Sequence, residues 1–239
     1  MINNKDILID SFHELGISID ERRTDCFLKY YDLLMDWNLR MNLTSITDYG
    51  DVVTKHFVDS VSLLKYCYIS ENSSLVDIGT GAGFPGIPIK IVRPDLSITL
   101  VDSLNKRVTF LQEVINCLDL KGITAVHGRA EELGTCPQYR EQFDLAVSRA
   151  VADLSVLCEY TLPFVKPDGL FVSYKSGKIE EEKDSALNAL SLLSGHIDKV
   201  EMFRLPFSDI DRSLVVVRKD GKTDSRYPRK SAQIKKKPL

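Results

Sequence analysis

Apolar residues follow two rhythms along this chain, and the change comes near residue 70. Before it, Ile7, Leu8, Phe12 and Leu15, then Phe27, Leu28, Tyr31, Leu34 and Met35, with Trp37 beyond, recur at helical spacing. That spacing predicts amphipathic helices, and Gly16 is placed to stop the first of them. After Asn42-Leu43-Thr44-Ser45-Ile46, a third helix is expected from Asp51 to about Cys67, burying Val52, Phe57, Val61 and Leu64. No part of residues 1–70 reads as a strand.

From Ser74 onward, short runs of Val, Ile and Leu alternate with helix-length segments. The expected strands are Leu75–Ile78, Ile98–Val101, Ile123–Val126, Leu145–Val147 and Leu170–Tyr174. The expected helices are Pro88–Val92, Lys106–Leu118, Leu154–Phe164 and Lys178–Leu193. This alternation predicts an α/β fold, a parallel sheet with helices on both faces. Two further strands, Val200–Leu205 and Ser213–Arg218, follow without a helix between them and should form an antiparallel pair at the sheet edge. The expected organisation is a helical N-terminal extension over 1–70, a seven-stranded Rossmann-like domain over 71–219 and a basic tail over 220–239.

Composition adds exclusions. The 239 residues are 44% hydrophobic and 27% charged, ordinary for a soluble globular chain. No apolar run approaches the ~20 residues that span a bilayer, and the N-terminus lacks the pattern of a signal peptide, so a cytoplasmic protein is expected. The five cysteines are scattered without a Cys-x-x-Cys pair, and the four histidines lack ligand spacing, so neither a disulfide framework nor a metal site is expected. Charge is uneven. Arg218 to Leu239 holds nine Lys/Arg against Asp220 and Asp224, a local +7, while the chain as a whole carries −3. Such asymmetry suggests a basic arm that meets a polyanion; a solvated terminus is the plain alternative.

The densest chemical signal is Val76-Asp77-Ile78-Gly79-Thr80-Gly81-Ala82-Gly83-Phe84-Pro85-Gly86. A buried strand here runs into a glycine turn and then a helix, where unpaired N–H groups gather. Gly81-x-Gly83-x-x-Gly86 also matches the dinucleotide fingerprint. Asp102 ends the second strand, 21 positions after Gly81, where a carboxylate can accept the ribose hydroxyls of an adenosine cofactor. Asp77 separates the candidates. Pyrophosphate is negative, whereas S-adenosylmethionine carries a sulfonium and an ammonium that a carboxylate favours. With the antiparallel ending, this places methyl transfer ahead of an NAD(P)-dependent oxidoreductase. A non-catalytic RNA-binding assembly factor is a third reading. After the third strand, His127-Gly128-Arg129-Ala130-Glu131-Glu132 should reach the adenine.

Ser148 and Arg149 end the fourth strand, at the edge where open parallel sheets bind ligands. Arg149 is expected to face the cofactor's methionine end or the substrate, in a positioning role; a structural ion pair is the alternative. The chain has no Asn/Asp-Pro-Pro-Tyr/Phe motif for exocyclic amines, no Pro-Cys after strand four, and no evident general base. Guanine N7, with its in-plane lone pair, fits that gap.

Together these motifs resemble the RsmG family, also called glucose-inhibited division protein B, over nearly the whole chain. The resemblance rests on Asn42–Ile46, His56-Phe57-Val58-Asp59-Ser60, Asp77 through Pro88, and Val101-Asp102-Ser103-Leu104-Asn105-Lys106-Arg107. It continues through His127–Glu132, Ser148-Arg149-Ala150-Val151, Tyr227-Pro228-Arg229-Lys230 and Lys235-Lys236-Lys237-Pro238. It implies a class I methyltransferase sheet and S-adenosylmethionine-dependent N7 methylation of one guanine in 16S ribosomal RNA of the small subunit. Cofactor contacts are expected at Asp77, Gly79, Thr80, Gly81, Gly83, Phe84, Asp102, Ser103, Leu104, Ala130, Glu131 and Arg149. RNA contacts are expected at Lys106, Arg107, Arg229, Lys230, Lys235, Lys236 and Lys237. Phe84, Tyr174 and Trp37 are candidates to stack on the target base, with a place in the core as the alternative for each. The tail departs from the family pattern, reading Ser231-Ala232-Gln233-Ile234 where relatives often carry Ala-Gly-Thr-Pro. Removing residues 225–239 is expected to weaken RNA binding and to spare cofactor affinity.

Overall fold

The structure, a computed structural model, describes residues 4–149, 152–176 and 179–239. It opens with helices α1 (Asn4–Glu14) and α2 (Glu21–Asn38). Asp20 caps α2 by accepting the Arg23 N–H at 2.8 Å, which satisfies a donor that the first turn leaves free. The expected third helix is instead a composite run: α3 (Tyr49–Val52), a π-helical turn (Val53–Val58), α4 (Asp59–Val61) and α5 (Leu63–Tyr66). Val52, Phe57 and Val61 are buried and Leu64 is half-buried.

This extension shares its core with the sheet. Phe12 packs on Phe27 at 4.9 Å between centroids, Phe27 on Phe57 at 5.0 Å, and Tyr30 on Phe84 of the glycine turn at 5.4 Å. Each such pair adds about 0.5–1.5 kcal/mol beyond its buried area. The aromatic chain thus ties the N-terminal helices to the loop that carries the chemistry.

The seven strands are β1 (Ser74–Ile78), β2 (Ser97–Asp102), β3 (Ile123–His127), β4 (Phe143–Arg149), β5 (Val165–Ser176), β6 (Gly195–Arg204) and β7 (Asp211–Lys219). Their order is β3-β2-β1-β4-β5-β7-β6. The first five are mutually parallel where they pair, and β7 runs antiparallel to both β5 and β6. The antiparallel strand is therefore inserted between β5 and β6, and the edge belongs to β6. Burial explains the order. Ser213 to Val217 of β7 are buried on both faces and need a neighbour on each side, whereas β6 carries exposed Asp198, Lys199 and Arg204, as a protected edge does.

Helices α6 (Gly86–Val92), α7 (Asn105–Cys117), α8 (Ala130–Leu133), α9 (Leu154–Thr161) and α10 (Glu180–Leu192) fill the crossovers. A 3₁₀ turn, Leu162–Phe164, continues α9 over the expected span. Lys178, the expected start of the helix after β5, lies outside the described residues, as do Ala150 and Val151 of the motif after β4.

The basic tail does not project. It folds back and ends in α11 (Ser231–Lys236). Glu159, fully buried in the middle of α9, accepts from the Arg229 backbone N–H at 2.8 Å and from its guanidinium at 2.8 and 2.6 Å. Arg140 donates to the carbonyls of Thr223, Asp224 and Tyr227, and Ile234 is fully buried. Lys219 is buried against Glu141 at 2.9 Å.

Candidate active site

The glycine turn after β1 divides its labour among three glycines. Gly81 has φ +61°, and a Cβ built there meets no heavy atom within 4 Å, so the space above it is open. At Gly83, φ +97°, a Cβ would crowd Tyr30 and Ile87; at Gly86 it would press on Leu100 and approach Asp77 Oδ2 to 2.9 Å. The first glycine leaves room for a ligand, and the other two let α2 and α6 close on the sheet.

Two carboxylates hold this turn. Asp77 is fully buried; its Oδ2 accepts the Thr80 hydroxyl at 2.7 Å and the Gly86 N–H at 2.9 Å, while Oδ1 has no partner. Burial pushes its pKa up to about 6 against these hydrogen bonds. Asp102, only 3% exposed, accepts from the Gly81 N–H at 3.0 Å and the Leu104 N–H at 2.9 Å, with the Arg107 guanidinium at 3.4 Å. It stands at the mouth of a cleft of about 440 Å³. This cleft is lined by Ile78, Gly79 and Val101, by Gly128–Glu131, and by Asp153, Val156 and Tyr160. Ser231, Lys235 and Pro238 of the C-terminal segment also line it.

A second cavity, also about 440 Å³, opens beside the end of β4 and is lined by Ile46, Lys55, His56, Asp59, Arg149, Tyr174, Lys175, Ser176 and Arg212. The π-helical turn and the residue after it supply Lys55, His56 and Asp59. Arg149 is the hub. Its guanidinium reaches Asp59 Oδ2 at 3.0 Å, the Lys55 carbonyl at 3.1 Å and His56 Nδ1 at 3.3 Å, and lies 5.2 Å from the Phe84 ring centroid. Arg212 approaches the other Asp59 oxygen at 3.3 Å. Because Arg149 can only donate, His56 Nδ1 accepts, and the ring proton is on Nε2, which meets Thr44 Oγ1 at 2.8 Å. Burial and the Arg149 charge push the His56 pKa down to about 3, so the imidazole is neutral. His56 stacks on Phe84 at 4.5 Å and 16°.

Residues 23–214 match the family described as rRNA small subunit methyltransferase G. Ribosomal RNA small subunit methyltransferase G of Thermoanaerobacter sp. (strain X514) is 50% identical over 234 residues, covering 98% of each chain. Its counterpart in Acetivibrio thermocellus is 49% identical over 98% of this chain and 96% of its own. The chain belongs to this family. The fold agrees: TrmN from Thermus thermophilus aligns with TM-score 0.53 and 15% identity, over 68% of this chain and 48% of its own. A putative methyltransferase (BH2331) from Bacillus halodurans aligns with TM-score 0.52 and 14% identity, over 68% and 99%. The expected Rossmann-like methyltransferase sheet is borne out, and this family member takes S-adenosylmethionine.

The cleft fits that cofactor. It has a carboxylate anchored at the end of β2 and apolar Ile78, Val101 and Val156 for an adenine; Gly81 does not itself line it, though the space above that glycine is open. Of the residues expected to hold the cofactor, Gly79, Asp102, Ser103, Ala130 and Glu131 line the cleft. Asp77, Thr80, Gly83 and Phe84 lie buried beneath or behind the turn and shape it, while Leu104 is exposed beside it. Arg149 lines the second cavity instead and makes the ion pair with Asp59. Phe84 and Tyr174 are 6% and 4% exposed; Tyr174 lines the second cavity and Phe84 lies behind its His56 and Arg149, whereas half-buried Trp37 packs on Phe110. Among the expected RNA contacts, Arg229 is committed to Glu159 and Arg107 leans on Asp102. Lys106, Lys230, Lys235, Lys236 and Lys237 are exposed. Sequence reasoning missed Lys55, Asp59, Lys175 and Arg212 as cavity residues. The only available signal was Asp59 within His56–Ser60, since Lys55 is brought in by the π turn, Lys175 by the end of β5 and Arg212 by the inserted strand β7. No helix is long and apolar enough to cross a membrane, and no cluster of metal-ligating side chains occurs among the described residues.

Proposed function

We propose that this methyltransferase modifies N7 of a guanine in 16S ribosomal RNA within the small subunit, in the cytoplasm, with the cavity at Arg149 receiving the base. The cofactor, bound in the cleft at Gly79, Asp102 and Glu131, supplies an electrophilic methyl on a sulfonium. One observation carries the choice of N7: the two proton-accepting side chains of the cavity, His56 and Asp59, both lie against arginine charge, although Asp59 Oδ1 itself has no hydrogen-bond partner among the described residues. His56 has Arg149 on one ring nitrogen and Thr44 on the other, and Asp59 is held between Arg149 and Arg212. An exocyclic amine would have to surrender a proton during transfer, and the guanidinium charge beside both acceptors opposes its uptake. N7 attacks with a lone pair and loses none. Lys55, Arg149, Lys175 and Arg212 line the cavity, each already paired with a carboxylate of Asp51, Asp59 or Glu182, so a phosphate would have to compete with those pairs. What remains for the protein is positioning, and orienting reactants is worth up to about 7–11 kcal/mol in intramolecular systems.

The test is labelled S-adenosylmethionine on small subunits from cells lacking the enzyme, followed by mass mapping of the modified nucleotide. Label is expected on one 16S guanine, at a position that chemical reduction renders cleavable, as N7 methylation does. Label on an exocyclic amine, on a ribose or on protein would reject the assignment.

A further inference from the structure

The C-terminal segment is the feature that neither the fold nor the proposed chemistry has absorbed. Its helix α11 has two faces. Ser231 and Lys235, with Pro238 beyond, line the same cleft as Gly128–Glu131, so the segment is part of that cleft's wall. Lys230, Lys236 and Lys237 are exposed, and no ion pair engages them among the described residues, whereas Arg226 and Arg229 of the same segment are paired with Asp224 and Glu159.

This wall is held by few contacts. A six-residue helix is too short to be stable alone. Ile234 is its buried side chain; Tyr160 Oη meets Ser231 Oγ at 3.2 Å, and Arg229 anchors the chain just before it. No side chain caps its N-terminus, and Lys235, Lys236 and Lys237 crowd like charges at its end. A polyanion laid along the outer lysines removes that repulsion and favours the docked helix. Any ligand that favours the docked helix favours the complete cleft, and linkage makes the effect mutual.

We propose that α11 is a wall shared by two ligands: its inner face belongs to the cofactor site and its outer lysines take RNA backbone, so that RNA and cofactor bind cooperatively. The proposal rests on the cleft being the cofactor site. It reverses the expectation that the tail serves RNA alone.

The experiment is calorimetry of S-adenosylhomocysteine, the unreactive product form, with the full chain, alone and with an oligouridylate that offers phosphates but no guanine. RNA is expected to tighten the wild-type Kd by about fivefold, within the usual range of coupling. Lys236→Ala/Lys237→Ala should lose most of that tightening, while Lys121→Ala, at an exposed lysine elsewhere on the surface, should keep it. Ile234→Asp, which undocks the helix, should weaken the RNA-free Kd at least fivefold, with circular dichroism checking that the fold persists. If Ile234→Asp unfolds the chain, the oligouridylate comparison decides alone. An identical wild-type Kd with and without RNA would overturn the cooperativity, as would tightening undiminished in the double lysine variant. Failure of the wild type to bind the nucleoside at all would instead bring down the cofactor reading beneath it.

Discussion

Asp77 offers a quantitative test of how the glycine turn is held, through Asp77→Asn. The wild-type carboxyl is buried and its pKa is raised from 3.8 to about 6. A carboxyl whose pKa is higher in the folded state ionises first in the unfolded chain. Folding stability therefore falls as pH rises from about 4 to about 6, and levels off above. The difference of roughly two units corresponds to about 3 kcal/mol across the window. In the variant, the amide oxygen can still accept from Thr80 and Gly86, which both contact a single oxygen in the wild type, but there is no charge to bury. Urea denaturation of both proteins at pH 4, 5, 6, 7 and 8 isolates the effect, because every other titrating group cancels in the difference. The stability of Asp77→Asn relative to wild type should climb by about 2–3 kcal/mol between pH 4 and pH 7 and then stay level. A difference that does not change with pH would refute the claim that desolvation governs this carboxyl.

Gly81→Ala should cost about 1–2 kcal/mol of stability from its left-handed backbone, yet lower S-adenosylmethionine affinity tenfold or more in calorimetry, because its methyl enters the open space above the turn. Arg149→Lys keeps the charge but loses the planar fork that meets Asp59, the Lys55 carbonyl and His56 together; single-turnover methylation should fall by about two orders of magnitude with cofactor Kd within twofold of wild type. With His56 neutral above about pH 3 and no base required, the single-turnover rate should stay level from pH 7 to 8.5, and an inflection assignable to His56 would contradict the geometry. Arg229→Ala strands the buried Glu159 carboxylate and should cost about 3–5 kcal/mol in urea denaturation, with Glu159→Gln in the same chain recovering part of it.

Much of this was legible because buried strands are written as short runs of Val, Ile and Leu; the exposed edge strand β6, which lacks such a run, was found only from Val200 although it begins at Gly195. The site was legible in its backbone-defined half. A carboxylate ending β2 is a local necessity, so Asp102 could be placed at the cleft from spacing, whereas Gly79 was placed there through the family resemblance and Glu131 through the turn after β3 and that resemblance. Side-chain direction was not. Asp77 was expected to face a cation and instead braces the turn, because whether a carboxylate at a strand end turns inward depends on donors, here Thr80 and Gly86, that become neighbours only once the turn is folded. The tail misled for a related reason. Its lysines dominate the count, while docking hangs on Tyr227, Ile234 and the pairing of Arg229 with a glutamate 70 positions earlier. A fully buried Glu159 within otherwise apolar α9 was the sequence's one hint that a cation had to arrive from elsewhere.

The wide turn at Val53–Val58 has a genetic consequence. Each helical residue advances the chain by about 100°, and a π turn accommodates one residue more than an α turn. Loss of a single codon in that stretch would restore ordinary winding and keep the flanking turns, Asp59 included, in phase, but would disturb how Lys55 and His56 within it meet Arg149, while leaving the fragment just as helical. A one-residue deletion there should thus silence the enzyme without unfolding it, whereas the same deletion in the exposed Phe207–Asp209 bend should be absorbed.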